Sequence, residues 1–284
     1  MEFKKKYIKY KIKYNNLKKL NNYGGSSEDD KIPKIIWCYW NTKELPILIK
    51  KCVKSIIDNH SDYKVYILND DNIPDEIFKL KFTKNNATKT SDLVRLWFLK
   101  NYGGVWIDIS TLLKKPITLY HDYEINCYYF KNESYIESWY IAAKKNSKII
   151  EKWYDELVYA NSFDSIEDYI THNKNENEEY INGIDIPEYL WIHVAIKKIL
   201  VKNPELKKNI KLTDACGENG PYKLHSDASW NHDEMKRLVK INNYNYIKLR
   251  GIERKMLGEE TFIDENEKKL LENYVIDESH IFKN

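Results

Sequence analysis

Gly-x-Gly-x-x-Gly, Gly-x-x-x-x-Gly-Lys-Ser/Thr and Cys-x-x-Cys are all missing from the 284 residues of this chain. The first two absences count against the glycine-rich cradles that hold dinucleotides and ATP phosphates, and so against a dehydrogenase or a nucleotidyltransferase of that kind. The third, with Cys38, Cys52, Cys127 and Cys216 widely scattered, signals neither a zinc site nor a disulfide framework, and a reducing compartment is expected. No run of 18 apolar residues occurs and the N-terminus lacks the apolar segment of a secretory signal, so the expectation is a cytoplasmic chain without a membrane span. A large excess of charge of one sign is missing as well. The net charge is +3, but residues 1–20 hold eight Lys and one Glu, which leaves −4 for the remainder, and the body is therefore not a nucleic-acid binder. No internal repeat is present.

What the chain has in excess is Lys, Asn, Ile and Tyr, the bias of an AT-rich gene. Phe3, Tyr7, Tyr10, Tyr14 and Leu17 recur at helical spacing among lysines, a basic amphipathic stripe. Such a stripe suits an anionic membrane surface or a partner helix, and equally a solvated leader. Residues 21–30, centred on Gly24-Gly25-Ser26-Ser27, read as a flexible linker, so the organisation expected is a leader and linker over 1–30 and one domain over 31–284.

Inside that domain, 34–40 is a short apolar run suited to a buried strand. Leu48, Ile49, Cys52, Val53, Ile56 and Ile57 then mark a helix burying one face, and 65–68 is a second strand stopped by Asn69-Asp70-Asp71-Asn72. Together they predict a parallel βαβ unit. Residues 90–102 read as a largely buried helix, N-capped by Thr90 or Ser91 and stopped by Gly103. After Gly103-Gly104, alternation sets Val105, Ile107 and Ile109 against Trp106, Asp108 and Ser110. This third strand carries Asp108 to its C-terminal end, the edge where open α/β sheets bind ligands. Beyond it, 135–159 and 189–201 read as helices, 163–183 as a polar loop or short helices, 214–232 as irregular, and the last forty residues show no clear pattern.

Asp92 and Arg95 lie three apart on one helix face and are the only formally charged side chains between Ser91 and Leu99. Burying charge is costly unless the groups are paired or engage a ligand, so the pair reads either as an ion pair stabilising its helix or as part of a binding site. Asp108 reads either as a strand-end carboxylate capping a turn or as part of the same site. His193, on an apolar helix, reads as a core histidine, and His225 as a surface histidine or a ligand.

In order along the chain, Ser91, Asp92, Arg95, Tyr102, Gly103, Gly104, Trp106 and Asp108 resemble the signature of glycosyltransferase family 32 and the related capsular polysaccharide synthesis proteins. There a Ser-Asp-x-x-Arg helix runs through Tyr-Gly-Gly into an aromatic-x-Asp-x-Asp strand. Pro33-Lys34-Ile35-Ile36-Trp37 is similar to the family's opening strand, and Trp139 with Ile141-Ala142-Ala143 to its middle segment, so the resemblance spans 31–250. It implies a GT-A-like α/β fold, with a mostly parallel central sheet flanked by helices. It also implies an enzyme of polysaccharide biosynthesis that moves a sugar, with retention, from a UDP- or GDP-linked donor to a glycan or glycoconjugate acceptor.

Carried over residue by residue, the resemblance has Asp92 and Arg95 bonding the donor sugar's hydroxyls and Trp37 stacking on the base, with Trp40 as fallback. Trp106 would pack on donor or ribose. Asp108 would bind ribose and help hold Mn²⁺ or Mg²⁺ on the diphosphate. The second acidic position of the Asp-x-Asp motif is here Ser110, a weaker metal ligand, which makes His225 a candidate to complete the metal site. The same departure keeps open a second reading, a degenerate, non-catalytic glycan-binding or scaffold protein on this fold. The leader resembles Lys/Tyr-rich N-termini of giant DNA virus proteins, which implies a virally encoded enzyme acting in a host cytoplasm.

Overall fold

The computed structural model describes residues 30–130 and 136–283. The leader and linker expected over 1–30 therefore lie, Asp30 apart, outside the described residues. The apolar run after Pro33 forms β1 (Ile35–Tyr39), buried along nearly its whole length. α1 (Ile47–Asp58) follows and turns Leu48, Ile49, Cys52, Val53 and Ile56 inward, and β2 (Lys64–Leu68) returns parallel to β1, from Ile35 opposite Lys64 to Tyr39 opposite Leu68. The βαβ unit read from the periodicity is thus present.

Four more strands complete the sheet: β3 (Gly104–Ile107), β5 (Ile125–Tyr129), β6 (Ile136–Ala143) and β7 (Ile210–Asp214), in the order β2-β1-β3-β6-β5-β7. Only β6 runs against the others; its pairings with β3 and β5 are antiparallel, whereas β1–β2, β1–β3 and β5–β7 are parallel. The C-terminal ends of β1, β3 and β7 consequently share one edge. A small antiparallel pair, β4 (Thr111–Leu113) with β8 (Tyr246–Lys248), sets Thr111 opposite Lys248.

The helices after α1 are α2 (Asp75–Phe78), α3 (Ala87–Tyr102), α4 (Lys148–Ala160), α5 (Ile166–Glu176), α6 (Trp191–Lys202), α7 (Lys223–Asp227), α8 (His232–Ile241), α9 (Gly251–Leu257) and α10 (Glu265–Glu272). One core joins α3, α4 and α6 to a face of the sheet through Leu93, Phe98, Trp106, Trp153 and Trp191, and a second joins α1 to strand residues such as Ile36, Val105 and Ile107. A third, containing Leu112, Met235, Ile247 and Leu257, lies beneath the β4–β8 pair. Among the described residues no helix is long and apolar enough to cross a membrane.

Two expectations are corrected here. Within the helix expected over 135–159, Ile136–Ala143 is instead the strand β6, and α4 begins only at Lys148, where Ser147 accepts from the Ile150 amide at 3.1 Å. All eight residues of β6 are buried, so both faces of the strand are covered and the sequence there has no solvent-facing side and no period of two to reveal a strand. The N-terminus of α3 lies earlier than expected, because Asn86 caps it by accepting from the Lys89 amide at 3.1 Å. Thr90 sits inside the helix, its hydroxyl donating to the Asn86 carbonyl at 2.9 Å. The polar stretch 163–183 contains α5, held at its start by a capping box between Ser165 and Asp168.

The step from α3 to β3 depends on two glycines. Gly103 and Gly104 have φ of 67° and 93°, and a Cβ on Gly104 would stand 2.6 Å from the Ile35 carbonyl oxygen. Both the left-handed backbone and the approach of β1 exclude a side chain. Gly104→Ala should destabilise the protein by roughly 2 kcal/mol or more. Gly251→Ala, whose Cβ would meet only the Arg254 side chain at 3.8 Å, should change stability by less than about 0.5 kcal/mol. Equal denaturation midpoints for the two variants would refute this account of the turn.

Candidate functional site

At the shared C-terminal edge of the strands lies a cavity of about 1250 Å³. Trp40 enters from the end of β1, Asp108 from the end of β3 and Asp214 from the end of β7, while α3 contributes Ser91, Asp92 and Arg95. Because α3 is packed into the core over most of its length, the two charged residues in its middle face inward, where Asp92 is 5% and Arg95 4% exposed.

Their charges are met by fixed partners. The Arg95 fork donates with one arm to Asp92 Oδ1 and with the other to Asp108 Oδ1, each at 3.0 Å. Indole N–H groups add a bond to each carboxylate, from Trp191 to Asp92 Oδ2 at 2.7 Å and from Trp106 to Asp108 Oδ1 at 2.9 Å. Lys248, nearly buried on β8, donates to Asp108 Oδ2 at 2.7 Å and to Ser110 Oγ at 3.0 Å. Burial pushes the Asp108 carboxyl up, but Lys248 and then Arg95 outweigh it and hold the group at about 2. At Asp92 burial prevails over Arg95 and Lys89, and its pKa is raised. The site therefore pairs a carboxylate that stays ionised down to about pH 2 with one that protonates more readily.

Asp92, Arg95, Asp108 and Ser110, named from the sequence, all line this one cavity. Trp37 does not. It is 1% exposed, stacks on Tyr66 with ring centroids 5.0 Å apart, and donates to the Gly103 carbonyl at 2.9 Å, so it braces the glycine turn and has no face to offer a base. The fallback, Trp40, does line the cavity, with the Arg254 guanidinium 5.6 Å from its ring centre. Trp106 does not line the cavity either: it is wholly buried behind Asp108, to which its indole donates, with the Arg95 guanidinium 5.2 Å from its ring centre. His193 is a core histidine, held at about 3 by burial and then by the Arg95 charge.

The metal expectation meets a different obstacle. An ammonium, that of Lys248, already bridges Asp108 and Ser110. His225 is wholly buried, with Nε2 3.8 Å from Glu253 Oε1 and its ring edge-on to Tyr222, and it does not line the cavity. Among the described residues no three His, Cys, Asp or Glu side chains are grouped so as to hold a metal ion. The donor set at Asp108 does not fit Mn²⁺ or Mg²⁺.

Lys248, Arg250 and Arg254 were not singled out in the sequence, yet all three line the cavity. They come from β8 and the start of α9, within the stretch that shows no clear pattern. One compositional signal pointed there: the chain has only four arginines, Arg95, Arg237, Arg250 and Arg254, and three of them meet in this cavity. Arg250 is ion-paired with Glu253 at 2.5 Å and lies 4.7 Å from the ring centre of Trp230.

A family model described as capsular polysaccharide synthesis protein matches residues 1–250. Over 92 residues the chain is 30% identical to inositol phosphoceramide mannosyltransferase 3 of Schizosaccharomyces pombe, a stretch equal to 30% of this chain and 26% of that protein. The match thus spans about a quarter of that relative's length. Among solved structures, the ligand-free glycosyltransferase domain from the YGT toxin is similar with a TM-score of 0.50 at 9% identity, covering 80% of this chain and 88% of that one. The fold is GT-A-like, a mixed α/β arrangement about a mostly parallel sheet.

The Asp108 environment predicts an acid limb in the stability of the protein. Its folded-state pKa of about 2 lies below the unfolded value of 3.8, so its contribution is complete above pH 3.8 and is lost as pH falls towards 2. The contribution is about 2 kcal/mol. Thermal unfolding followed between these pH values should show a steeper loss for the wild type than for Asp108→Asn, and parallel profiles would refute the assignment.

Proposed function

Because the chain belongs to the capsular polysaccharide synthesis protein family, we propose that it is a glycosyltransferase, carrying a sugar from a UDP- or GDP-linked donor to a hydroxyl of a glycan or glycoconjugate. The observation that carries this reading is the convergence of Asp92, Arg95 and Asp108 in one large cavity at the C-terminal edge of the sheet. A carboxylate offers about four acceptor positions; Arg95 and Trp191 take one each on Asp92, and Arg95, Trp106 and Lys248 leave Asp108 a single one for a ligand hydroxyl. Asp92 with Arg95 would receive the donor sugar and Asp108 the ribose, while Trp40 supplies the flat surface for the base. At the cavity mouth Ile186 and Tyr189, 58% and 59% exposed, give an apolar surface for the acceptor.

In the transfer, the bond from the donor's anomeric carbon to the phosphate oxygen breaks and its electron pair passes to that oxygen. The acceptor hydroxyl oxygen bonds to the same carbon, and its proton leaves with the departing diphosphate. Retention of configuration is part of the proposal, on the family resemblance. No step is assigned to Mn²⁺ or Mg²⁺, because Lys248 already engages both Asp108 and Ser110. A cytoplasmic place of action is also part of this reading.

A hydrolysis screen of UDP- and GDP-sugars is the direct test, and the stretch shared with a mannosyltransferase puts mannosyl donors first. One donor should turn over. Asp108→Ala should lower kcat/KM by at least about 100-fold, and Arg95→Ala should raise KM for that donor. Undiminished activity in a folded Asp108→Ala protein would remove the site, and failure of every donor would leave the glycan-binding scaffold in place of the enzyme.

A further inference from the structure

Asp108 has little left to give a cation. One of its oxygens takes hydrogen bonds from Arg95 and Trp106, the other from Lys248. Ser110, the remaining oxygen ligand in the motif, is bonded by the same ammonium. Divalent ions of the Mg²⁺ kind require near-octahedral oxygen coordination, commonly with one or two carboxylates, and shed their waters reluctantly. Here they would meet one carboxylate already shared by two cationic side chains, one neutral hydroxyl, and a positive charge held within hydrogen-bond distance of both. Like charges in so enclosed a place are poorly screened.

The position is structurally secured. Lys248 stands opposite Thr111 in the β4–β8 pair, and the next residue's amide donates to the Ser110 carbonyl at 2.9 Å, so strand pairing fixes the ammonium against the motif. Two further cations follow from the same segment and line the same cavity: Arg254, and Arg250, whose Nε and Nη2 are held by Glu253 and whose other arm takes no part in that pair. An ammonium carries three N–H groups and Lys248 uses two on Asp108 and Ser110, while a guanidinium presents a planar fork matched to phosphate oxygens. The Arg254 arm Nη1 is anchored on the Leu249 carbonyl at 2.9 Å, which orients the fork without a carboxylate partner in that bond.

We infer that Lys248, with Arg250 and Arg254, takes the place of the divalent ion, so that the donor's diphosphate is held and its developing charge balanced by side-chain cations alone. The inference rests on the transferase reading above. When the anomeric bond breaks, the leaving diphosphate gains one negative charge, and the three cations receive it without an added metal.

Calorimetric titration of the full chain with UDP and with GDP, each in EDTA and in Mn²⁺, tests this. The wild type should bind one nucleotide with affinities that agree within about threefold between the two buffers. Lys248→Met and Arg254→Ala should each weaken that binding by about tenfold or more, in Mn²⁺ as in EDTA. Circular dichroism melting reports whether Lys248→Met folds, and Arg254→Ala, which leaves the Asp108 cluster intact, keeps the test decisive if it does not. Binding that appears only with Mn²⁺, or an unchanged affinity in both folded variants, overturns the inference and leaves the transferase reading standing. Failure of both nucleotides in both buffers overturns the two together.

Discussion

One carboxylate, Asp108, is gripped from two sides by cations that come from distant parts of the chain, Arg95 on α3 and Lys248 on β8. Arg95 and Lys248 are buried and Asp108 is a quarter exposed, and removing one partner of a buried ion pair costs about 3–5 kcal/mol. The cluster therefore ties the helix, the end of the central strand and the small β4–β8 pair into one geometry. Its orientation is set further by two indoles, Trp106 and Trp191, each bonded to a different aspartate.

The cavity follows from the topology of the sheet. Strands β1, β3 and β7 run the same way, so their C-terminal ends and the segments after them open at one edge, and reversed β6 brings Glu137 and Trp139 to it from its other end. Asymmetry within the site is electrostatic. Asp108, with two cations, is held as an anion, whereas Asp92, deeper and with burial prevailing over Arg95, has a raised pKa. A fixed anion beside a more easily protonated group lets two chemically identical side chains bond a ligand differently.

Residue type was a poor guide wherever the same side chain serves a core and a ligand equally well. Trp37 and Trp106 are flat and apolar, and both are used inside, one against the glycine turn and one behind Asp108, while Trp40, three positions from Trp37, reaches the cavity. The strand β6 was missed for a related reason: a segment buried on both faces loses the alternation that distinguishes strand from helix. His225, hidden entirely beside Glu253, shows the same ambiguity for a polar residue.

By itself the sequence determined the βαβ opening, the buried helix with Asp92 and Arg95 on one face, and the glycine turn that delivers Asp108 to a strand end, because each rests on local periodicity or on a backbone that only glycine adopts. Tertiary structure alone decided that Lys248, Arg250 and Arg254 face these residues, that the bond partner of Ser110 is an ammonium, and which tryptophan meets the cavity. Those facts depend on pairing between β4 and β8, segments more than a hundred residues apart, and on which face of a packed side chain is left uncovered. No local pattern in the chain encodes such long-range contacts.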